Sequence, residues 1–473
     1  FEGLLQFDAA AKVQPGVAER YSVSENGLVY TFYLRKNACW SNGDPLTAED
    51  FAYSWYRALL PETASEYASQ LYPVKNAQAF NEGKLKDFKQ VGVRVVEPYV
   101  FEVTLEDPTP YFPDICAFMT TMPVHRATVE AHSDWASKPE HFVGNGAFTL
   151  KEWRLFDRVR LDRNERYWDA ASVSLKSIDV LPAGRPSAAF NLYATGQADL
   201  IMDKSLVPVA LIDELRKRSD FHSAPFLATY FVRFNCTRKP FDDVRVRKAF
   251  ALVMDREEFV KKITRAGEAA AWSFVPPGAG RGYEPPRLEG KNPDLARKLL
   301  AEAGYPEGKG FPAIEYMYST KDDVDRDIAI ELQGAVQREL GIKMGLKPRE
   351  WKVYLQTQSA LDYDLSRSSW LADYNDPNTF LGMFLTGNGN NETGWSNLRY
   401  DELVAAATKE VDREKRFKIF AEAERLLVRE DVPISPLYFN VGIQIFDPNK
   451  IEGVEPNLLD QHSLRYVKWK KRN

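Results

Sequence analysis

The sequence predicts an α/β protein, and three observations predict it. Leu28-Val-Tyr-Thr-Phe-Tyr-Leu34 has β-branched and aromatic residues at strand density behind an Asn26-Gly27 turn. Residues 187–195 read as a helix that stops at Gly196, and the strand Asp199-Leu-Ile201 follows at once. Beyond Asp242 the spacing of apolar residues is helical, with short apolar runs at 314–318 and 436–445 between the helices. Helices alternating with strands imply an α/β sheet, with strands denser early and helices denser late.

The elements follow in order. Asn42-Gly43 marks a turn, and Thr47-Ala-Glu-Asp50 has the form of a capping box that opens a helix running through Leu59 to Pro61. Residues 91–96 and 99–105 alternate around Glu97-Pro98, which predicts a hairpin; Pro108, Pro110 and Pro113 then interrupt regular structure. Asn145-Gly146 leads into a strand at 147–150, with another at 158–161. Helices are expected at 243–254, at 294–303 with Gly304 past its end, at 325–340 before Gly341, and as a pair at 400–411 and 414–429. The Pro- and Gly-rich stretch 275–286 reads as a long surface loop.

The chain has 473 residues, which at about 100–200 residues per domain means two to four domains or lobes. Sixty-two basic and 67 acidic side chains are interspersed, for a net charge of −5, so charge makes no case for nucleic acid or an anionic membrane as partner. Ten Trp, 22 Tyr and 28 Phe suit a cleft that is both apolar and hydrated, although most of these rings belong in a core. Cys39, Cys116 and Cys236 match no zinc or redox spacing and are expected to be buried and unpaired. No apolar run is long enough for a transmembrane helix. The start at Phe1-Glu-Gly-Leu-Leu5 has no Met or signal-like segment, as expected of a processed or truncated start.

Catalytic chemistry finds little support. The five histidines, at 125, 132, 141, 222 and 462, form no H-E-x-x-H pair, and no G-x-S-x-G elbow is present. Gly304-Tyr-Pro-Glu-Gly-Lys-Gly310 has the wrong spacing for a phosphate loop, and Gly278-Ala-Gly-Arg-Gly282 lacks the context of a dinucleotide site. The acid pairs Asp242-Asp243 and Asp322-Asp323 read as helix starts. No metal or cofactor is expected, and the chain does not read as an enzyme. A carboxylate-based hydrolase stays as the alternative from another class.

Several segments resemble, in order and spacing, the bacterial oligopeptide-binding proteins of ABC importers, the peptide-binding branch of the family 5 solute-binding proteins. They are Phe1-Glu-Gly-Leu-Leu5, Pro15-Gly-Val-Ala-Glu19, Trp40-Ser-Asn-Gly-Asp44, Leu46-Thr-Ala-Glu-Asp-Phe-Ala-Tyr-Ser-Trp55 and Thr63-Ala-Ser-Glu-Tyr-Ala-Ser69. Asn145-Gly-Ala-Phe148, Arg163-Asn164 with Tyr167-Trp-Asp169, and Pro240-Phe-Asp-Asp-Val-Arg-Val-Arg247 follow. The most specific is Trp370-Leu-Ala-Asp-Tyr-Asn-Asp-Pro377.

The resemblance implies a periplasmic binding protein-like clamp (type II, cluster C), with two main lobes closing over the ligand and an extra subdomain. The expected division is 1–125 as the accessory lobe with part of lobe I, 126–227 and 441–473 as lobe I, and 228–440 as lobe II. It also implies short peptides as ligand, delivery to a membrane permease with its ATPase, a monomer, and a periplasmic or extracytoplasmic location with a possible lipid anchor. The same clamp holding a murein peptide, an opine or an amino sugar is the alternative.

By the same resemblance Asp373 holds the peptide's α-ammonium group, a charge-assisted hydrogen bond worth about 1.5–3 kcal/mol. An acid before Asn375-Asp376-Pro377 also suits a plain turn. Ser369, Trp370 and Leu371 are expected as a strand beside the peptide, reading main chain and so accepting many sequences. Tyr67, Trp351, Tyr438 and Phe231 match positions that line the site, with core packing as the alternative for Trp351 and Tyr438. Arg367 is expected either to anchor a peptide carboxylate or to pair with a cleft acid. Two departures stand out. The cysteines that some members pair are replaced at Ala228 and Leu371, and Gln358 and Asp325 stand near positions where some members place basic residues for the peptide's C-terminus.

Overall fold

The Asn26-Gly27 turn does what its composition requires. Gly27 takes φ +71°, and the Asn26 side chain accepts from Ser24 Oγ (2.7 Å) and the Leu28 N–H (3.2 Å). The turn joins β1 (Ala18–Val23) to β2 (Val29–Leu34), along which Tyr30, Phe32 and Leu34 alternate inward. The computed structural model describes residues 1–321 and 323–471; Asp322, expected beside Asp323 at a helix start, lies outside the described residues, as do Arg472 and Asn473. Two units emerge: Phe1–Ile201 with Phe446–Asn457 and the segment from Gln461 onward, and Met202–Ile445 with Leu458–Asp460.

In the first unit the expected hairpin forms from β3 (Val93–Glu97) and β4 (Val100–Thr104), and β4 pairs with β2, giving the antiparallel order β1-β2-β4-β3. Helix α1 (Ala48–Leu59) starts at the capping box, where the Thr47 N–H donates to Asp50 at 2.8 Å. It buries Phe51 and Trp55 against Phe101, with the Trp55 and Phe101 rings edge to face at 5.2 Å. A second antiparallel sheet comprises β5 (Phe148–Arg154), β6 (Arg158–Arg163) and β7 (Ser177–Val180).

Three of the quoted motifs meet beside this sheet, and their job there is structural. Glu2 and Asn145 exchange two hydrogen bonds, of 3.0 and 2.8 Å. The buried Glu2 carboxylate accepts from the Trp168 indole (2.6 Å) and the Tyr167 hydroxyl, and lies 3.2 Å from Arg465, which also binds Asp169 at 2.6 Å.

The second unit is built on β8 (Phe221–Phe234), which is buried from Phe226 through Phe234. Burial on both faces requires the near-continuous apolar run seen there. Its antiparallel neighbours are β12 (Leu365–Leu371) on one side and β13 (Ile434–Phe446) on the other, with β9 (Ala269–Ala270) beyond β13. Outside β12 lie β10 (Ile314–Ser319) and β11 (Met344–Arg349), in parallel pairing. Helices α2 (Val244–Val253), α3 (Pro293–Glu302) and α4 (Asp323–Leu340) contribute to the core with Tyr316, Leu365 and Leu437. Asp243 accepts the Arg245 N–H at 2.8 Å and starts α2, as expected of that acid pair. Beyond α5 (Trp351–Ser359), α6 (Leu398–Lys409) and α7 (Arg413–Arg425) form the expected helical pair.

Three expectations need correction. Only Cys116 is buried, Cys39 and Cys236 being partly exposed, although all three thiols are free. The helix expected at 414–429 is α-helical only to Arg425 and continues as a π-helix over Leu426–Glu430. The stretch 275–286 is a loop but only in part a surface one: Pro277, Gly278, Arg281, Gly282 and Glu284 are exposed, whereas Val275, Ala279 and Tyr283 are buried. Its polar backbone is satisfied from α7: the N–H groups of Phe274 and Val275 donate to Glu424 Oε1 at 2.7 and 2.9 Å, and the Tyr283 hydroxyl donates to Oε2 at 2.5 Å.

Burial raises the Glu424 carboxyl to about 7, although these three donors favour its anion. The folded protein therefore holds a proton that the unfolded chain releases near pH 4.5. The stability contributed is fully present below pH 4.5 and is lost as pH rises through about 7. Glu424→Gln keeps an acceptor and cannot ionise. Measured by calorimetry, the Tm of the parent relative to this variant will fall between pH 4.5 and 7 and stay level above; a constant difference would refute it.

Candidate functional site

Strand β12 and the loop after it bring five of the expected residues together: Arg367, Ser369, Trp370, Leu371 and Asp373. On one edge β12 is paired with β8 through Leu371, in a register that sets Ala228 against Leu371, Tyr230 against Ser369 and Val232 against Arg367. Ala228 and Leu371, expected to stand in place of a cysteine pair of some family members, are thus direct cross-strand neighbours. On the other edge β10 accompanies β12 only at Leu365 and Ser366. The Arg367 carbonyl then accepts from Gln358 Nε2 (3.2 Å) and from the Tyr354 hydroxyl. Among the described residues no strand pairs with Ser368–Leu371 on that edge. A segment of sheet edge is left there that can accept an added strand.

The loop is held by its own polar groups. The Trp370 indole donates to the Thr379 carbonyl at 2.7 Å, and the Asp373 N–H donates to Thr379 Oγ1 at 3.1 Å. Asn375 Oδ1 accepts the Gly280 N–H at 2.9 Å, tying the loop to the buried stretch around Tyr283. Asp376 is spent on structure: both its oxygens bind Arg416 of α7, at 2.7 and 2.8 Å, with both side chains buried. Asp373 is 8% exposed, at the end of the strand whose outer edge is open.

The second cluster lies on the Tyr230 face of the strand. Arg367 Nε is 3.1 Å from Asp325 Oδ2, and the Tyr230 hydroxyl donates to Asp325 Oδ1 at 2.9 Å. Of the two roles expected for Arg367, the structure thus supplies the paired acid. That Nε–H is not directed at the carboxylate, so the contact is an ion pair rather than a hydrogen bond. Burial disfavours the Arg367 charge, yet Asp325 and neighbouring tyrosines outweigh it and raise the guanidinium well above its ordinary value. Burial and Asp325 likewise raise the Tyr230 phenol well above its usual range, which keeps its proton available to Asp325. Tyr438 stacks on Tyr230 at 4.8 Å, and Trp351 lies 6.0 Å from the Arg367 guanidinium and stacks on Tyr354 at 5.7 Å. Gln358 is buried and bonded to Tyr354 and Ser366, both at 2.8 Å.

Two expected residues stand apart. Phe231 is fully buried, with its ring edge to face on Phe274 (5.2 Å) and Phe384 (6.3 Å). This corrects its assignment to the site, since its side chain offers no surface to a solute. Tyr67 belongs to the first unit, where its ring lies 6.0 Å from that of Phe118. Sequence reasoning missed Tyr230, Thr379 and Arg416. The run 226–234 shows Tyr230 to be buried but not its partner, and nothing local pairs Arg416 with an acid 40 residues away.

Residues 12–392 match the model of the bacterial extracellular solute-binding proteins, family 5. The periplasmic oligopeptide-binding protein OppA of Salmonella typhimurium is 35% identical over 457 residues, covering 95% of this chain and 83% of that protein. Among solved structures, OppAIV of Borrelia burgdorferi, a periplasmic oligopeptide-binding protein, superposes with a TM-score of 0.92 at 32% identity, covering 99% of this chain and 94% of that one. OppA of Haemophilus influenzae in complex with the peptide RPPGFSPFR superposes with a TM-score of 0.91 at 31% identity, covering 99% and 93%. The fold is therefore the periplasmic binding protein-like clamp.

Removing one partner of the buried Asp376–Arg416 pair leaves an uncompensated charge, which costs about 3–5 kcal/mol. Arg416→Met is expected to lower stability by that amount in urea, and a loss under 1 kcal/mol would show the pair to be dispensable.

Proposed function

The chain belongs to the family 5 bacterial extracellular solute-binding proteins, and on that premise we propose that it captures short peptides for an ABC importer by their main chain and α-ammonium group. The observation that carries this reading is the open edge of Ser368–Leu371 running into Asp373. An extended peptide added there satisfies backbone donors and acceptors of β12 without consulting side chains, which suits a receptor of broad specificity. Its leading ammonium meets Asp373 at the strand's end. Asp373 as a residue is 8% exposed, so a charge-assisted bond made there is little screened by solvent.

The aromatic side chains of Trp370 and Trp351 supply apolar walls, whereas Tyr438, 3% exposed and stacked on Tyr230, packs in the core, the alternative expected for it. Arg367 acts as a positioning residue, held by Asp325 and in turn fixing the Tyr230 and Trp351 rings. Gln358 and Asp325 are engaged within the protein, so the peptide's C-terminus is left without a dedicated cation at those positions and length selection is loose. The proposed lobes are 126–227 with 441–473 and 228–440, with 1–125 as accessory lobe. Ligand-driven closure then presents the protein to a permease with its ATPase, in the periplasm or at the outer cell surface. The ligand is released unchanged, and the protein is not an enzyme.

Native mass spectrometry of the purified protein, followed by denaturing release, is expected to yield intact peptides that remain uncleaved over hours. Asp373→Asn should weaken a tripeptide about 10- to 150-fold in calorimetry, the equivalent of a lost charge-assisted bond. The N-acetylated tripeptide should bind parent and variant alike. Equal tripeptide affinity in both would remove Asp373 from ammonium recognition, and release of a non-peptide solute alone would move the ligand class.

Asp325→Asn should destabilise the protein by about 3 kcal/mol, because Arg367 is then buried without its counter-charge. Chemical denaturation tests this, and an unchanged midpoint would show Arg367 to be compensated elsewhere.

A further inference from the structure

The second unit contains a cavity of about 230 Å³ that the peptide site does not use. It is lined by α2, α3, the π-helical segment Leu426–Glu430 and the start of β13. Leu252, Leu288, Leu299 and Ile434 give it aliphatic walls.

Three cations line the same space. Arg256 is 3% exposed, and its guanidinium donates only to neutral oxygens: the Pro436 carbonyl (2.8 Å), Ser435 Oγ (3.2 Å) and the Glu289 carbonyl (3.5 Å). Among the described residues no carboxylate forms an ion pair with it. Its other compensation is the Trp272 ring, 5.7 Å away. Burial pulls it down to about 10, with Asp255 opposing. Lys248, half-buried at the wall, makes no hydrogen bond or ion pair among the described residues. Arg429 is 3.8 Å from Glu289, the acid of the lining, whose side chain is mostly exposed. A buried guanidinium without a counter-ion is costly to hold. The π-helical turn that carries Val428 and Arg429 to the cavity is itself a departure from regular helix.

We propose that this cavity binds an aliphatic monocarboxylate, its head on Arg256 and Lys248 and its chain along Leu252, Leu288 and Leu299. The ligand supplies the missing negative charge and fills space that water, faced with aliphatic walls, occupies poorly. The site is separate from the proposed peptide site, so both are expected to fill at once.

The test is calorimetry on the full chain saturated with a tripeptide, using butyrate, hexanoate and octanoate as probes. Binding should tighten about fourfold for each added methylene until the cavity is full. Octanol should bind at least tenfold more weakly than octanoate. Lys248→Ala should weaken octanoate about tenfold, and Leu299→Trp, which fills the cavity, should abolish its binding while leaving tripeptide affinity unchanged. Arg256→Met is less informative because its backbone bonds also support the fold. Three results would overturn the proposal: no heat with octanoate, equal affinity for octanol, or octanoate that competes with tripeptide and ignores Leu299→Trp.

Discussion

The pairing of Leu365–Leu371 with Ala228–Phe234 is the constraint on which the candidate site depends. Side chains alternate across a strand, so a slip of one residue would exchange the two faces of β12. In the observed register, Arg367 and Ser369 share a face with Tyr230, and Arg367 reaches Asp325. Ser368 and Trp370 share the other face with Phe231 and Thr229, where the Trp370 indole finds Thr379. The register is secured because β8 is buried on both faces over Phe226–Phe234, where seven of nine residues are apolar and any slip would misplace them. With β12 so fixed, the Asp373 backbone is set by one further hydrogen bond.

Buried charge in the second unit is divided by function. Asp376 and Arg416 neutralise each other with two hydrogen bonds and lock the loop to α7. Asp325 neutralises Arg367 and accepts from Tyr230. Glu424 instead accepts two backbone N–H groups and a phenol, and burial holds it near neutrality. Each arrangement satisfies a polar group that would otherwise be expensive away from water. Two buried arginines rest on neutral oxygens instead: Arg247 on the carbonyls of Phe241, Asp431 and Val432, and Arg256 on the Pro436 carbonyl, Ser435 and an indole face.

Much of the secondary structure was legible because its signals are local. The Thr47–Asp50 capping box and the Asn26-Gly27 hairpin are each decided within a few residues. Errors arose where distant partners intervene. The stretch 275–286 has the composition of a surface loop, and it is partly buried where Glu424, far along the chain, accepts from the Val275 N–H and the Tyr283 hydroxyl. The helix expected to run to 429 widens into a π-helix at Leu426. Motifs were read as marks of kinship, but kinship does not say which of them touch ligand. Phe1-Glu-Gly-Leu-Leu5 and Tyr167-Trp-Asp169 serve a buried structural network, whereas Trp370-Leu-Ala-Asp373 lies on an open sheet edge.

By itself the sequence determined the α/β class, the family, the absence of the catalytic motifs sought and, through the resemblance, a strand at Ser369–Leu371, because periodicity, turn chemistry and motif order are properties of neighbouring residues. Only the tertiary structure decided that Phe231 is core, that Arg367 is paired with Asp325, that Asp376 is bound by Arg416, and that among the described residues no strand pairs with one edge of Ser368–Leu371. Those are facts about pairing across long sequence separations. The choice among several acids and several arginines is made by which side chains the folded sheet brings within hydrogen-bonding distance, and no local pattern encodes that choice.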